Sequence, residues 1–343
     1  MTKIPSQEED SSSSCEAVAG GSEYIRKAFQ KRGLDAPAVE IMMSSIAPST
    51  MKQYQSSLRR WREFSKNNGV DMYQAGSTQV IQFLTKRYHE GAGYGTLCSD
   101  RSAIALISSH EIGKSELISR FLRGVYRKKP AKPRYDTTWD VAPVLDYIEE
   151  MPAMQNLSFK ENTEKIATLL ALVTAHRLQT LALIKTENIV ISTAGITIKI
   201  PDMIKTSRPG KSQPELSLPF FKERPKLCAA TTIIEYLEHT RDLRGALNKN
   251  LLIATKKPHR DASAQTIGHW IKNLLKRAGV NTEQFTGYST RHAAVSAALR
   301  KGVDVGTIRR TAGWSERSQV FARFYNKPIQ TETNLFVSTI LRK

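Results

Sequence analysis

Apolar residues recur at steps of three and four through the first third of the chain. Met51, Tyr54, Leu58, Trp61 and Phe64 fall on one face of a helix that Ser49-Thr50 is expected to cap. The opposite face carries Lys52, Arg59, Arg60, Arg62 and Lys66. Val80, Ile81, Phe83 and Leu84 behind Ser77 predict a second helix. Leu97, Ile104 and Ile107 predict a third over 96–107, and a fourth runs from Leu117 to Tyr126. No alternating pattern interrupts them, so residues 23–130 are expected to form a small all-helical bundle. Residues 1–22, rich in Ser, Glu and Gly, lack an apolar period and read as a disordered tail.

Arg127, Lys128, Lys129, Lys132 and Arg134 then crowd around Pro130 and Pro133, which argue against helix. Residues 131–138 are read as a basic linker, with a second domain over 139–343. Val141, Val144, Leu145 and Ile148 open that domain with a helix, and a very apolar one follows from Glu161 to Ala175. Ile196, Ile198 and Ile200 then alternate with Thr197 and Lys199, a strand pattern. With 189–192 before it and 215–218 after it, this segment predicts a small antiparallel sheet. The connector 204–214 has the Gly/Pro/Ser content of a long hairpin loop. From Leu227 onward the chain reads as helical, punctuated by Gly245, Gly279 and Gly302. The fold class expected is mainly α with one small antiparallel β-sheet.

Charge narrows the function. The chain carries 51 Lys+Arg against 32 Asp+Glu, a formal net charge of +19. Such an excess points to a polyanionic partner, most simply nucleic acid. The three cysteines (Cys15, Cys98, Cys228) are far apart and form no CxxC or Cys/His cluster, so neither a disulfide framework nor a zinc site is indicated. No apolar run has the length of a membrane span or the look of a signal peptide, so a soluble, intracellular protein is expected.

Three segments place polar residues inside apolar or tightly punctuated text. In Leu172-Val-Thr-Ala-His-Arg177-Leu-Gln-Thr-Leu-Ala-Leu-Ile184, Arg177 sits between two apolar helices, where a guanidinium needs an anion or several acceptors. In Gly287-Tyr288-Ser289-Thr-Arg291-His292, Ser289 is read as an N-cap with Arg291 in the first helical turn. Free amides and a cation there make an anion site. In the third, Gly313-Trp314 turns out of a helix and Tyr325 follows, just before Asn-Lys-Pro.

Taken in order, Arg177, Lys205 in the hairpin loop, Y-x-x-R at 288–291, Gly-Trp314 and Tyr325 resemble the tyrosine recombinase/integrase family, whose pattern is Arg, Lys, H-x-x-R, His or Trp, Tyr. "TAHRLQTLALI" and "TIRRTAGWSERSQVFARFYNKP" look like the eukaryotic mobile-element versions, the Crypton and DIRS-like integrases. The N-terminal text "PSTMKQYQSSLRRWREF" resembles the family's core-binding domain. There are departures. Tyr288 stands where the family has its first histidine, Thr180 where an acidic residue usually follows the first arginine, and the step from Trp314 to Tyr325 is slightly long.

The resemblance implies a two-domain clamp on double-stranded DNA, working as a dimer on each site and a tetramer in synapsis. It implies transesterification by Tyr325 through a 3′-phosphotyrosyl bond, without metal, nucleotide or other cofactor. Arg177 and Arg291 grip the phosphate, Lys205 or Lys211 protonates the leaving oxygen, and Trp314 and Tyr288 contact phosphate. His292 is a candidate stand-in for the missing histidine. Lys52, Arg59, Arg60, Lys128, Lys129, Lys132 and Arg134 are candidates for holding the DNA backbone. If the host is eukaryotic, the nucleus is the expected compartment; otherwise it is the cytoplasm or nucleoid. Leu335, Phe336, Val337, Ile340 and Leu341 form an apolar stripe that docks on a neighbouring protomer or packs within the chain. Two rivals share the fold: a catalytically inactive, domesticated DNA-binding protein, and a topoisomerase-like enzyme that does not synapse two sites.

Overall fold

The computed structural model describes residues 20–130, 134–210, 212–246, 248–314, 327 and 341. The chain divides into two compact units, Met1–Lys132 and Pro133–Lys343, each with its own core. Among the described residues, no helix is long and apolar enough to cross a membrane.

The first unit is helical: α1 (Gly21–Lys31), α2 (Ala36–Ser44), α3 (Pro48–Asn67), α4 (Ser77–His89), α5 (Tyr94–Ile107) and α6 (Glu116–Lys128). Neither α1 nor α2 was read as a separate helix in the sequence, and α1 begins two residues inside the expected tail. Helix α3 starts earlier than expected. Its N-cap is Ala47 and Pro48 takes the first helical position, so Ser49 and Thr50 lie inside the helix rather than capping it. Its apolar stripe packs as its spacing demands. Trp61 is fully buried, stacked on Phe64 at 5.6 Å and edge-on to Phe83 at 5.2 Å, with its indole N–H donated to the Met72 carbonyl at 3.0 Å. The buried Asp100 carboxylate is satisfied by the Ser57 hydroxyl at 2.5 Å and by Arg87 at 3.4 Å.

The second unit is built on α8 (Phe159–Thr174), which α10 (Ala229–His239), α11 (Ala264–Arg277) and α12 (Thr290–Arg300) surround. Helix α7 (Ala142–Glu150) precedes it, the short α9 (Leu178–Leu181) follows, and α13 (Val305–Thr311) comes last among the described helices. Ser158 and Glu161 form a reciprocal capping box at the start of α8. Almost every side chain of α8 is buried, two charges included. Glu164, with no exposed surface, pairs with Arg277 at 2.7 Å and accepts from Asn273 at 3.1 Å. Strands β1 (Ile189–Ile191), β2 (Gly195–Lys199) and β3 (Glu215–Pro219) form one antiparallel sheet in the order β1-β2-β3. Ile196 faces Leu218 and Ile198 faces Leu216 on its buried side.

The stretch read as linker contributes to this core. Tyr135 is buried against Phe285, and its hydroxyl lies 2.9 Å from that of Thr286. Trp139 is buried beside it.

Trp61→Ala is expected to destabilise the protein by about 3–5 kcal/mol, the usual result of removing a fully buried indole. Denaturant unfolding checks this, and a loss below about 1 kcal/mol would contradict the central place given to Trp61.

Candidate functional site

Helix α8 ends in a residue that is costly to place. Ala175, its C-cap, is left-handed at φ 49°, a conformation that costs a non-glycine residue roughly 1–2 kcal/mol. The turn points the Ala175 carbonyl at the start of α12, where Arg291 donates to it through Nη1 at 2.6 Å. Arg291 is itself buried, and its guanidinium lies over the Trp314 ring with 4.1 Å to the centroid. Trp314 is buried as well and follows Gly313, whose φ of +67° forms the turn out of α13. The second arginine and the tryptophan are thus fixed beside the segment that carries the first. Arg177 lies half-buried two residues beyond Ala175, as the N-cap residue of α9.

His176, between the two, was given no role from sequence. Its ring is buried. Nδ1 is 3.0 Å from the Thr174 carbonyl, while Nε2 has no hydrogen-bond partner among the described residues. Burial lowers its pKa below the usual histidine value. Donation to the Thr174 carbonyl opposes this, and the Arg291 and Arg177 guanidiniums lower it further. Both cations therefore bear on this one ring. The signal that marked it was present: His176 is a polar residue in an apolar run, directly before Arg177.

Helix α12 is entered differently from expected. A 3-10 turn, Gly287–Ser289, precedes it, and Ser289 makes no side-chain cap. Its hydroxyl instead donates to the Thr286 carbonyl at 2.7 Å and accepts from the Trp139 indole at 2.8 Å. Its backbone N–H is also taken, by the same Thr286 carbonyl at 2.8 Å. The 3-10 turn thus uses an amide that the sequence reading left free for an anion. Arg291 does fall in the first turn of α12. The 3-10 turn sits hard against α11: a methyl group at Gly287 would overlap the Gly268 carbonyl oxygen and lie 3.0 Å from its Cα. Two glycines, neither singled out for packing from sequence, thus set the height of the turn.

The remaining candidates are spread. Tyr288 lies on the same turn, half-exposed. His292 is in edge-on contact with Tyr135 at 5.3 Å. Thr180 is buried, and its backbone N–H donates to the Arg177 carbonyl at 2.8 Å. Lys205 is exposed on the β2–β3 connector and forms no ion pair among the described residues. That connector is tied together by the Ser207 hydroxyl, which accepts from the Ile204 N–H at 2.9 Å and donates to Gln213 at 2.9 Å. Lys211, Lys132, Tyr325 and the apolar stripe 335–340 lie outside the described residues. Leu341, the last of that stripe, is exposed. Lys327, two residues after Tyr325, is anchored on α12. Its N–H donates to the Ser296 hydroxyl at 3.3 Å and its carbonyl accepts from Arg300 at 3.4 Å.

In the first unit, Lys52, Arg59 and Lys66 follow one another at seven-residue steps and share the exposed face of α3, with Arg60 beside them. Lys128, Lys129 and Arg134 are exposed too, and Lys129 reaches the Gly91 carbonyl at 3.1 Å.

This fold is that of the two-domain tyrosine recombinases. The structure of XerH site-specific recombinase bound to palindromic difH substrate, a post-cleavage complex, is similar with a TM-score of 0.60. It is 15% identical and covers 93% of this chain and 94% of its own. Tn1549 transposon integrase in complex with transposon right end DNA gives a TM-score of 0.55 at 12% identity, over 95% of this chain and 100% of its own. A lambda integrase dimer bound to a COC′ core site gives 0.51 at 16% identity, over 84% and 92%. No curated protein matches the chain in sequence. The phage integrase family profile matches residues 146–331, more than half of the chain, and the chain belongs to that family.

Gly287→Ala is expected to push the 3-10 turn off α11 and carry Arg291 with it. Overpacking of this kind costs about 1–3 kcal/mol. Thermal or denaturant unfolding would register that loss, whereas unchanged stability would show that the close approach to Gly268 is not needed.

Proposed function

We propose that the chain is a site-specific DNA recombinase that cuts and rejoins duplex DNA through a 3′-phosphotyrosyl bond to Tyr325. One observation carries the reading: the Arg291–Ala175 hydrogen bond holds the second arginine beside the chain segment of the first, so that both act on one small region. Attack on a phosphodiester places charge on the non-bridging oxygens, and guanidinium forks match those oxygens in geometry as well as charge. In water-excluded surroundings such prearranged donors give the largest single contribution to rate.

Tyr325 is the nucleophile. Its support is its order in the chain and the anchoring of Lys327 on the helix that bears Arg291. Lys205 gives a proton to the departing 5′-oxygen, and Lys211 on the same connector is the alternative. The phosphotyrosyl bond conserves the energy of the broken linkage, so the reaction consumes no nucleotide and calls for no metal. Trp314 supports Arg291 from beneath as a π-face rather than acting only as a donor to phosphate. The basic face of α3 and the cations at 128, 129 and 134 follow the DNA backbone, where each contact adds affinity that salt weakens. Assembly as dimers on each site and tetramers in synapsis suits this chemistry, since strands must be exchanged between two duplexes. The local text around Arg177 and Trp314 further aligns the chain with Crypton and DIRS-like mobile-element integrases, which would place its work in a nucleus.

A second reading has one observation in its favour. Tyr288, in the place of the family's first histidine, is half-exposed and offers a phenol where the family has an imidazole. An inactive chain of the same fold would bind DNA without cutting it. The two readings separate on a nicked duplex bearing the element's terminal sequence. The recombinase forms a denaturation-resistant protein–DNA adduct that Tyr325→Phe abolishes. An adduct that persists in Tyr325→Phe rules out this nucleophile, and tight binding with no adduct supports the inactive protein.

A further inference from the structure

We propose that His176 is a further catalytic residue of this reaction, the proton acceptor for the attacking tyrosine; the proposal rests on the recombinase reading above. His176 is 5% exposed, and its Nε2 has no hydrogen-bond partner among the described residues. A buried polar atom left unpaired costs about 1–3 kcal/mol and calls for an explanation. The rest of the ring is fully committed. Nδ1 lies 3.0 Å from the Thr174 carbonyl, which can only accept, so Nδ1 carries the proton and Nε2 the lone pair. The Thr174 hydroxyl also accepts the His176 N–H at 3.2 Å, so side chain and backbone hold the residue in place.

His176 lines a cavity of about 200 Å³ between the β2–β3 connector and the end of α13. His176, Ser207, Gln213, Arg310, Gly313 and Trp314 are among the residues that line it. Gly313 keeps the approach open: a methyl group there would sit 3.3 Å from Nε2. The charged groups around the ring are Arg177 on its own segment, Arg291 from α12, Arg310 from α13 and Glu215 from β3. Cations dominate, and with burial they keep the imidazole neutral near pH 7, which a base requires. A structural histidine would direct its second nitrogen at a partner. This one leaves it unpaired among the described residues, in a residue that lines a cavity with Arg310 and Trp314, under the charge of Arg177 and Arg291. It also supplies the imidazole that the Tyr288 position lacks.

The step balances. The phenolic proton passes from Tyr325 Oη to His176 Nε2 as the phenolate oxygen bonds to phosphorus. The bond from phosphorus to the 5′-oxygen breaks, and that oxygen takes its proton from Lys205. In rejoining, the 5′-hydroxyl attacks, Lys205 recovers its proton, and Nε2 returns its proton to the departing tyrosine. The positive charge gained by the imidazole in the first half is offset by the negative charge developing on the phosphate.

The test is single-turnover adduct formation by the full chain on a nicked duplex, selected from a random-sequence pool by binding to the chain itself. His176→Gln is expected to slow the adduct by roughly 10²–10⁴-fold, with DNA affinity and melting temperature unchanged. The wild-type rate should fall as pH drops through a value below the ordinary histidine 6.5, and this limb should vanish in the variant. Added imidazole should restore His176→Gly. A duplex with sulfur in place of the 5′-bridging oxygen needs no acid for departure; it should rescue Lys205→Ala and leave His176→Gln slow. The role is overturned if His176→Gln reacts as fast as wild type, if the sulfur substrate removes its defect, or if imidazole fails to restore a His176→Gly chain that binds and melts normally. A wild-type chain that forms no adduct overturns the recombinase reading, and this role with it.

Discussion

The hydrogen bond from Arg291 to the Ala175 carbonyl is the constraint on which the rest of the site depends. A buried guanidinium costs several kcal/mol unless its donors are met, and a left-handed alanine is unfavourable on its own account. Each unfavourable feature compensates the other. The left-handed turn aims a carbonyl that no helical partner claims, and the arginine takes it at 2.6 Å. Trp314 then covers the guanidinium from its other side. As a result three segments far apart in sequence, around 175, 291 and 314, have one relative arrangement.

That arrangement needs a rigid base, and α8 provides it. The helix is buried along nearly its whole length, and its Glu164 is matched by Arg277 and Asn273 from α11. Helix α11 in turn carries Gly268, against which Gly287 closes. Buried Trp139 fixes the same turn through the Ser289 hydroxyl. The chain entering the second unit is therefore tied to the turn that leads into Arg291. Cores of this density shift little without loss of stability, so the site inherits their precision.

Much of this was legible in the sequence, for physical reasons that differ by residue. The apolar stripe of α3 and the alternation of Ile196, Ile198 and Ile200 are local periodicities, so they survive folding unchanged. The placing of Arg177 between two helices followed from the apolar runs around it, and that of Arg291 in a first helical turn from Ser289, although the Ser289 side chain makes no cap. What could not be read was non-local. The Ser289 hydroxyl looked like a cap because nothing in the sequence announces an indole 150 positions earlier. Tyr135 looked like linker because its neighbours are basic, although its ring packs on Phe285. His292 was a candidate by adjacency to Arg291, yet helical geometry turns it onto Tyr135. His176 stood in plain view as a polar residue beside Arg177, but the Gly313 turn that faces its Nε2 reaches it only in the fold.

The central claim is that Arg177 and Arg291 together clasp the phosphate being exchanged. It is tested most directly by a crystal structure of the chain on nicked DNA with orthovanadate, which bridges the tyrosine and the DNA ends as a mimic of the transition state. The account predicts guanidinium nitrogens of both arginines within about 3 Å of the equatorial vanadate oxygens, with Trp314 still beneath Arg291 and Tyr325 in line with the departing oxygen. A complex in which either arginine turns away from the vanadate, or in which another residue occupies the apical position, would contradict it.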